Sequence, residues 1–280
     1  VFSAEGGPGG GALPRFQPRP GGFGKRQTPV GATEAAAPAP AKSVPGNDNA
    51  RNVSAISGGL ASLDEVKGRN SHDVPTRLEQ WLGREFRHVR DVPCETTLTV
   101  IGAITGFAAQ NGIWEAEVRP GHKAIQEAFV VIETRSGETF FFGDLLNDIL
   151  AAKDPAQLSV WKIVAGGARA LGAGELPDVV PIFKHSAETV GTGSFGLPVL
   201  PDGHLPGILP RDALNRFWPE ARRILSGNPD ATAWAFDAAM AAQQLMLGMK
   251  DRIDPALAAR VVMEAAVPMS RIDPMSVPKT

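Results

Sequence analysis

Residues 96–114, TTLTVIGAITGFAAQNGIW, run for 19 positions without a charge, and any fold this chain adopts must find a place for them. A helix needs roughly 20 mostly apolar residues to cross a bilayer, so the length is barely sufficient. Thr96, Thr97, Thr99, Thr105, Gln110 and Asn111 dilute the run, and the dense apolar part is confined to residues 98–109. A stretch of about 10–14 apolar residues marks a core helix more often than a span. The segment is therefore predicted to be a central helix, buried on all sides, in a protein with no membrane span. Gly102 and Gly106, one turn apart, would let a neighbouring backbone come close. Gly106→Leu is then expected to cost roughly 1–3 kcal/mol through overpacking.

Such a helix needs partners that can wrap it. Before it, Asp73 or Thr76 can cap a helix with Pro75 in its first turn. Leu78, Trp81, Leu82, Phe86 and Val89 form one stripe of that helix, and Arg77, Glu79, Arg84, Arg87 and Arg90 lie off it. After it, two β-rich runs at 129–134 and 138–142 flank Arg135-Ser136-Gly137, a turn with glycine where positive φ is wanted. A lone hairpin is marginal, so the Phe140–Phe142 cluster should hold it against helices.

The remainder reads as helical. Asp144 is expected to cap residues 145–152, Ser159 to cap a helix ending at Gly172, and Pro177 to open one ending at Gly191. Asp212 starts another, which Pro219 should kink or restart. Asn228-Pro229-Asp230 opens a nearly all-apolar helix over 230–249, interrupted by Asp237. Asp254-Pro255 opens the last, which Pro268 ends, and the two copies of RIDP (252–255 and 271–274) both read as a capping Asp followed by Pro in a first turn.

Residues 1–72 differ in kind. The first 70 positions hold 13 Gly and 8 Pro, close to a third of them, with no collagen period. That composition marks disorder, because too little apolar surface can be buried to offset chain entropy. The expected organisation is a disordered Gly/Pro/Ala-rich tail over 1–72, then a single mainly α domain over 73–280 with one small β-hairpin near 128–142. Leu60, Leu63 and Val66 could form a short, weakly docked helix at the end of the tail.

Charge limits the partners. The tail carries a net +3 and the rest −5, so the folded part is poor material for a phosphate backbone. The basic–aromatic interleaving of Arg15, Phe16, Arg19, Phe23, Lys25 and Arg26 suits only loose, salt-sensitive contact with single strands. Residues 1–11 have no signal-peptide-like apolar core. Cys94 is the only cysteine, which excludes an intramolecular disulfide and fits a cytoplasmic setting. At the start of the central helix its thiol pKa should be lowered by the dipole, but no base accompanies it.

Motifs with chemical potential cluster late in the chain. GTGSFG at 191–196 satisfies GxGxxG, but a helix precedes it and LPVLP follows, where nucleotide folds need a strand and then a helix, or two strands and a lysine. Ser194 lacks the strand–helix context of a nucleophile elbow. His185 and Glu188 share a helix face, and Asp202 and His204 follow in the next loop. Two imidazoles with carboxylates could hold a divalent ion or do acid–base work. Residues 191–211 form a long loop with four prolines that nevertheless carries Phe195, Leu197, Val199, Leu200, Leu205, Ile208 and Leu209. Long loops in compact domains serve function or are disordered, and this one is too apolar for disorder. The leading expectation is a non-catalytic interaction or scaffold protein that docks a protein partner on this loop. The alternative is a metal-dependent or acid–base enzyme centred on His185, Glu188, Asp202 and His204. No cofactor is assigned by the sequence.

Overall fold

Helix α2 (Cys94–Ile113) is the axis of the fold: every one of its 20 residues is buried. The structure, a computed structural model, describes residues 73–87 and 92–278. The reading of 1–72 as a tail, with its Arg- and Phe-bearing segment and short helix, lies outside the described residues. Around α2 the chain lays down α1 (Val74–Arg87), α3 (Ile125–Ala128), β1 (Val130–Glu133), β2 (Thr139–Phe142) and α4 (Asp144–Ala151). There follow α5 (Val160–Ala170), α6 (Val180–Glu188), α7 (Pro210–Leu225), α8 (Trp234–Gly248) and α9 (Pro255–Met269). The described residues are thus mainly helical with one antiparallel hairpin, and all fall in one compact unit. No described helix is long and apolar enough to cross a membrane.

The wrapping of α2 follows from small side chains. α9, α8 and α7 pack directly on it, and α4 also touches it. A Cβ on Gly102 would sit 2.5 Å from Val262 O, and one on Gly106 only 1.9 Å from Ala266 O, so α9 touches α2 backbone to backbone. On α8 and α9, Ala238, Ala239, Ala241, Ala242, Ala258, Ala259, Ala265 and Ala266 are fully or almost fully buried, which lets these helices close in. Larger side chains fill the side toward α1 and α7. Phe107 meets Trp218 edge-on at 4.7 Å, and Trp81 meets Phe217 at 6.0 Å. Two polar residues of α2 are accommodated within the helix, whereas the side-chain amide of Gln110 is buried with no hydrogen-bond partner among the described residues. Thr105 Oγ1 donates to Ile101 O (2.7 Å) and Asn111 Nδ2 to Phe107 O (3.2 Å), each bonding back one turn.

Helix ends agree with the sequence where a side chain makes the cap. Asp73 Oδ1 accepts from Thr76 N (3.3 Å), Ser159 Oγ from Lys162 N (3.3 Å), and Asp254 Oδ1 from Leu257 N (2.9 Å). Elsewhere the boundaries move. Gly143, not Asp144, is the N-cap of α4, and Asp144 is its first residue. α6 begins at Val180, with Asp178 Oδ1 accepting from its N–H (2.9 Å), so Pro177 precedes the helix. α7 begins at Pro210 and runs unbroken through Pro219. A 3-10 turn (Ala231–Ala233), capped by Asp230, precedes α8, and Pro268 lies within the last turn of α9. The second RIDP does not open a helix. Its Asp273 instead bonds Met275 N in a tight turn, while Ile272 bridges to Phe140.

The hairpin has the expected turn. Gly137 (φ 81°) donates to Thr134 O, and the ladder pairs Val130 with Phe142 through Glu133 with Thr139. Phe140 and Phe141 are buried, and Phe141 packs edge-on against both Phe129 and Trp114. That contact holds the hairpin on the π-helical turn Trp114–Val118 at the end of α2.

Candidate functional site: the loop between α6 and α7

Residues 191–211 leave α6 through turns at Gly191 and Gly196, both at positive φ, and no strand borders them. GTGSFG is a helix stop followed by turns. The loop then crosses the body in a single fixed course, because three polar contacts tie its backbone or side chains to buried groups. Val199 N donates to Glu264 Oε2 on α9 (3.1 Å). His204 Nδ1 lies 2.7 Å from Glu95 Oε1 at the start of α2, so this nitrogen carries the proton that the carboxylate accepts. Gly207 N donates to Thr96 Oγ1 (2.9 Å). At the far end Arg211 reaches Glu138 of the hairpin (3.1 Å), and near the start Phe195 packs edge-on against Phe140 at 4.8 Å.

The seven apolar residues of the loop divide. Phe195, Leu200 and Ile208 turn inward against the core. Leu197, Val199, Leu205 and Leu209 are exposed, Leu205 at 68%. The inward set and the polar ties fix the frame, and the outward set is displayed on it.

The four residues with metal or acid–base potential take separate places. His204 pairs with Glu95, Asp202 is exposed, and Glu188 lies 3.8 Å from Lys184 on the surface of α6. His185 turns beneath the loop beside Glu264, where its Nε2 is buried with no hydrogen-bond partner among the described residues. Ser186 Oγ, next to it, is in the same condition. Among the described residues no three His, Cys, Asp or Glu side chains come together to hold a metal ion. His122 bonds Ala116 O, and His72 and His88 lie outside the described residues. Cys94 reverses the expectation for its thiol: burial pushes the pKa up, against the helix start and Arg252.

Sequence reasoning missed Glu95, Thr96 and Glu264, which hold the loop. One signal was available. Glu264 is the only acidic residue of α9, VVMEAAV, and Glu95 the only charge of α2, and a carboxylate on a mostly apolar helix needs a partner. Glu264 is 4% exposed, and burial raises its carboxyl above the usual range, offset in part by the Val199 N–H, Arg260 and His185. A raised folded-state pKa favours the protonated form, so this group contributes most below the unfolded carboxyl value near about pH 4.3. That contribution is lost as pH rises through the folded value. Glu264→Gln keeps an oxygen for Val199 N–H and removes the buried charge. We expect its urea midpoint to exceed that of the parent at pH 7 and the two to converge at pH 4. A variant weaker than the parent at pH 7, with the difference shrinking as pH falls to 4, would show that the Arg260 pair outweighs desolvation.

Comparison with known proteins adds no relative: no family model, curated protein or solved structure matches the chain.

Proposed function

We propose that this protein is a non-catalytic interaction module, acting in the cytoplasm, that docks a protein partner on residues 191–211. The observation that carries the reading is the pairing of an exposed apolar set, Leu197, Val199, Leu205 and Leu209, with a loop backbone tied down at Val199, His204 and Gly207. A loop already ordered before binding loses little entropy when a partner covers it, which is how a small apolar set can bind usefully. Apolar side chains on a mobile loop would lack that advantage.

A photo-crosslinker at position 205 of the full chain captures the partner in cells, and binding of the isolated partner is then measured against variants. Leu205→Asp and Leu209→Asp are each expected to weaken it at least tenfold, about 1.4 kcal/mol or more. Position 209 is the N-cap of α7, where Asp is well tolerated, so that change tests binding without disturbing the helix. Leu247→Asp, an exposed apolar position on α8, serves as control and should bind as the parent does. The enzyme alternative, centred on His185, Glu188, Asp202 and His204, requires instead that His185→Ala or His204→Ala abolish metal uptake or turnover. Unchanged binding by both loop variants would overturn the docking proposal.

A further inference from the structure

The outer edge of β1 leaves main-chain hydrogen-bonding groups facing solvent, and the phase of the hairpin identifies them. Thr134 N donates to Glu138 O (2.9 Å), so Thr134 and, at two-residue spacing, Ile132 and Val130 bond toward β2. Val131 and Glu133 therefore turn their N–H and C=O groups outward. Phe141, which faces Val131 across the ladder, does the same on the opposite side, and there its N–H donates to Arg271 O (2.8 Å) beside the Phe140–Ile272 bridge. The C-terminal segment thus covers the edge of β2. Among the described residues, nothing outside the hairpin bonds the main chain of Val131 or Glu133.

This open edge is also apolar. All four residues of β1 are exposed, Val130 at 59% and Val131 and Ile132 at 40% each. Sheets usually blunt such an edge with lysine or proline, and the strand VVIE contains neither.

We propose that this edge pairs with the same edge of a second copy of the chain, antiparallel about a twofold axis at Val131, to join two hairpins into one four-stranded sheet. An axis normal to the sheet keeps each side chain on its own face, so paired residues must be an even number apart in sequence. Centring on Val131 meets that condition and the hydrogen-bond phase together. Val131 exchanges both bonds with its counterpart. Glu133 N–H reaches the carbonyl of Phe129 in the second copy, a residue already extended (φ −138°, ψ 148°) whose own N–H is engaged by Ile125 O. Val130 then lies against Ile132 of the second copy, and the reverse, so the exposed side chains cover one another.

Charge agrees with the antiparallel sense. Glu127 lies on α3 just before β1, and Arg135 lies in the turn just after it, both exposed. Antiparallel pairing brings Arg135 of each copy toward Glu127 of the other, whereas parallel pairing would set Glu133 on Glu133. Two four-residue strands bury less than the roughly 1,200 Å² of a stable interface, so the dimer forms reversibly with concentration. It uses the outer main-chain edge of β1 and not the exposed side chains Leu197, Val199, Leu205 and Leu209, and it does not depend on the docking role proposed for them.

The test is sedimentation velocity of the full chain over a concentration series, with cysteine cross-linking to read the register. We expect reversible dimerisation, preserved in Leu205→Asp and lost in Val131→Pro, which removes an outward N–H without taking a bond from the hairpin. Val131→Lys repeats the test with no backbone change if the proline variant does not fold. Directly paired residues of a hydrogen-bonded site have Cα atoms about 5.5 Å apart, within the range of about 4.4–6.8 Å that a disulfide accepts. Val131→Cys should therefore cross-link on mild oxidation, and Ile132→Cys, two residues out of register with itself, should not. Arg135→Glu should weaken the dimer, and adding Glu127→Arg to it should restore it. A chain that stays monomeric at every concentration, a dimer lost in Leu205→Asp but kept in Val131→Lys, or equal cross-linking at 131 and 132 would each overturn the proposal.

Discussion

Gly106→Ala should cost at least about 3 kcal/mol, at or beyond the upper end of the usual overpacking range. The single added carbon would sit 1.9 Å from Ala266 O, 2.6 Å from its carbonyl carbon and 2.8 Å from its Cα. None of those atoms can turn aside by changing a rotamer, because all three belong to the backbone of α9. The helices must separate, and α2 is buried on every side, so α8 and α7 have no room to follow. Gly106→Leu, expected from the sequence to cost roughly 1–3 kcal/mol, should exceed that range here because the atoms it would meet are backbone and cannot repack. Gly83→Ala is the control. It lies on the exposed face of α1 with nothing within 4 Å, and should gain about 0.5–1 kcal/mol from helix propensity alone. Chemical denaturation of both variants checks the pair. A Gly106→Ala protein unfolding within about 1 kcal/mol of the parent would mean that α2 and α9 do not meet backbone to backbone.

Arg271→Met should stabilise the protein, by about 1–3 kcal/mol, although it removes a charged residue with aromatic neighbours. Arg271 is 3% exposed, and its Nη1 is buried with no hydrogen-bond partner among the described residues. Its guanidinium lies 4.5 Å from the Phe142 ring centre and 5.6 Å from that of Phe183. Such contacts give about 2 kcal/mol when desolvated, while stripping water from an ion costs several. The imbalance lowers the arginine pKa to about 10, with burial as the cause. The sign follows from linkage. A lowered folded-state pKa means that the charged form costs stability below about pH 10, and that the cost is relieved as pH rises through that value. The gain from Arg271→Met should accordingly be constant between pH 7 and 9 in thermal melts. A lower melting temperature for the variant would show that the two rings outweigh the desolvation.

Both predictions rest on contacts between residues far apart in the chain, and that is where sequence reading stopped. The Asp73, Ser159 and Asp254 caps and the Gly137 turn were legible because each is made within four residues. The shifted starts of α4, α6 and α7 show how narrow that window is: Asp144, Pro177 and Asp212 are all plausible signals, but neighbours one to three residues away fill the role. The candidate site was legible as a stretch, 191–211, and not as a set of contacts. His185 and His204 look adjacent in sequence, yet Glu95 engages one from 109 residues away and Glu264 stands beside the other.

What the sequence determined by itself was the central burial of α2. An uncharged run of 19 positions with a dense apolar middle has no face suited to solvent, and its two glycines lie one turn apart for a close neighbour. Which helix takes that place, which loop residues turn inward, and which carboxylates are buried to hold them were decided only by the tertiary structure. Small alanine-rich faces such as those of α8 and α9 are nearly interchangeable as local patterns. They become distinct when backbone carbonyls meet Gly102 and Gly106, and when that packing carries Glu264 to the Val199 N–H of the loop.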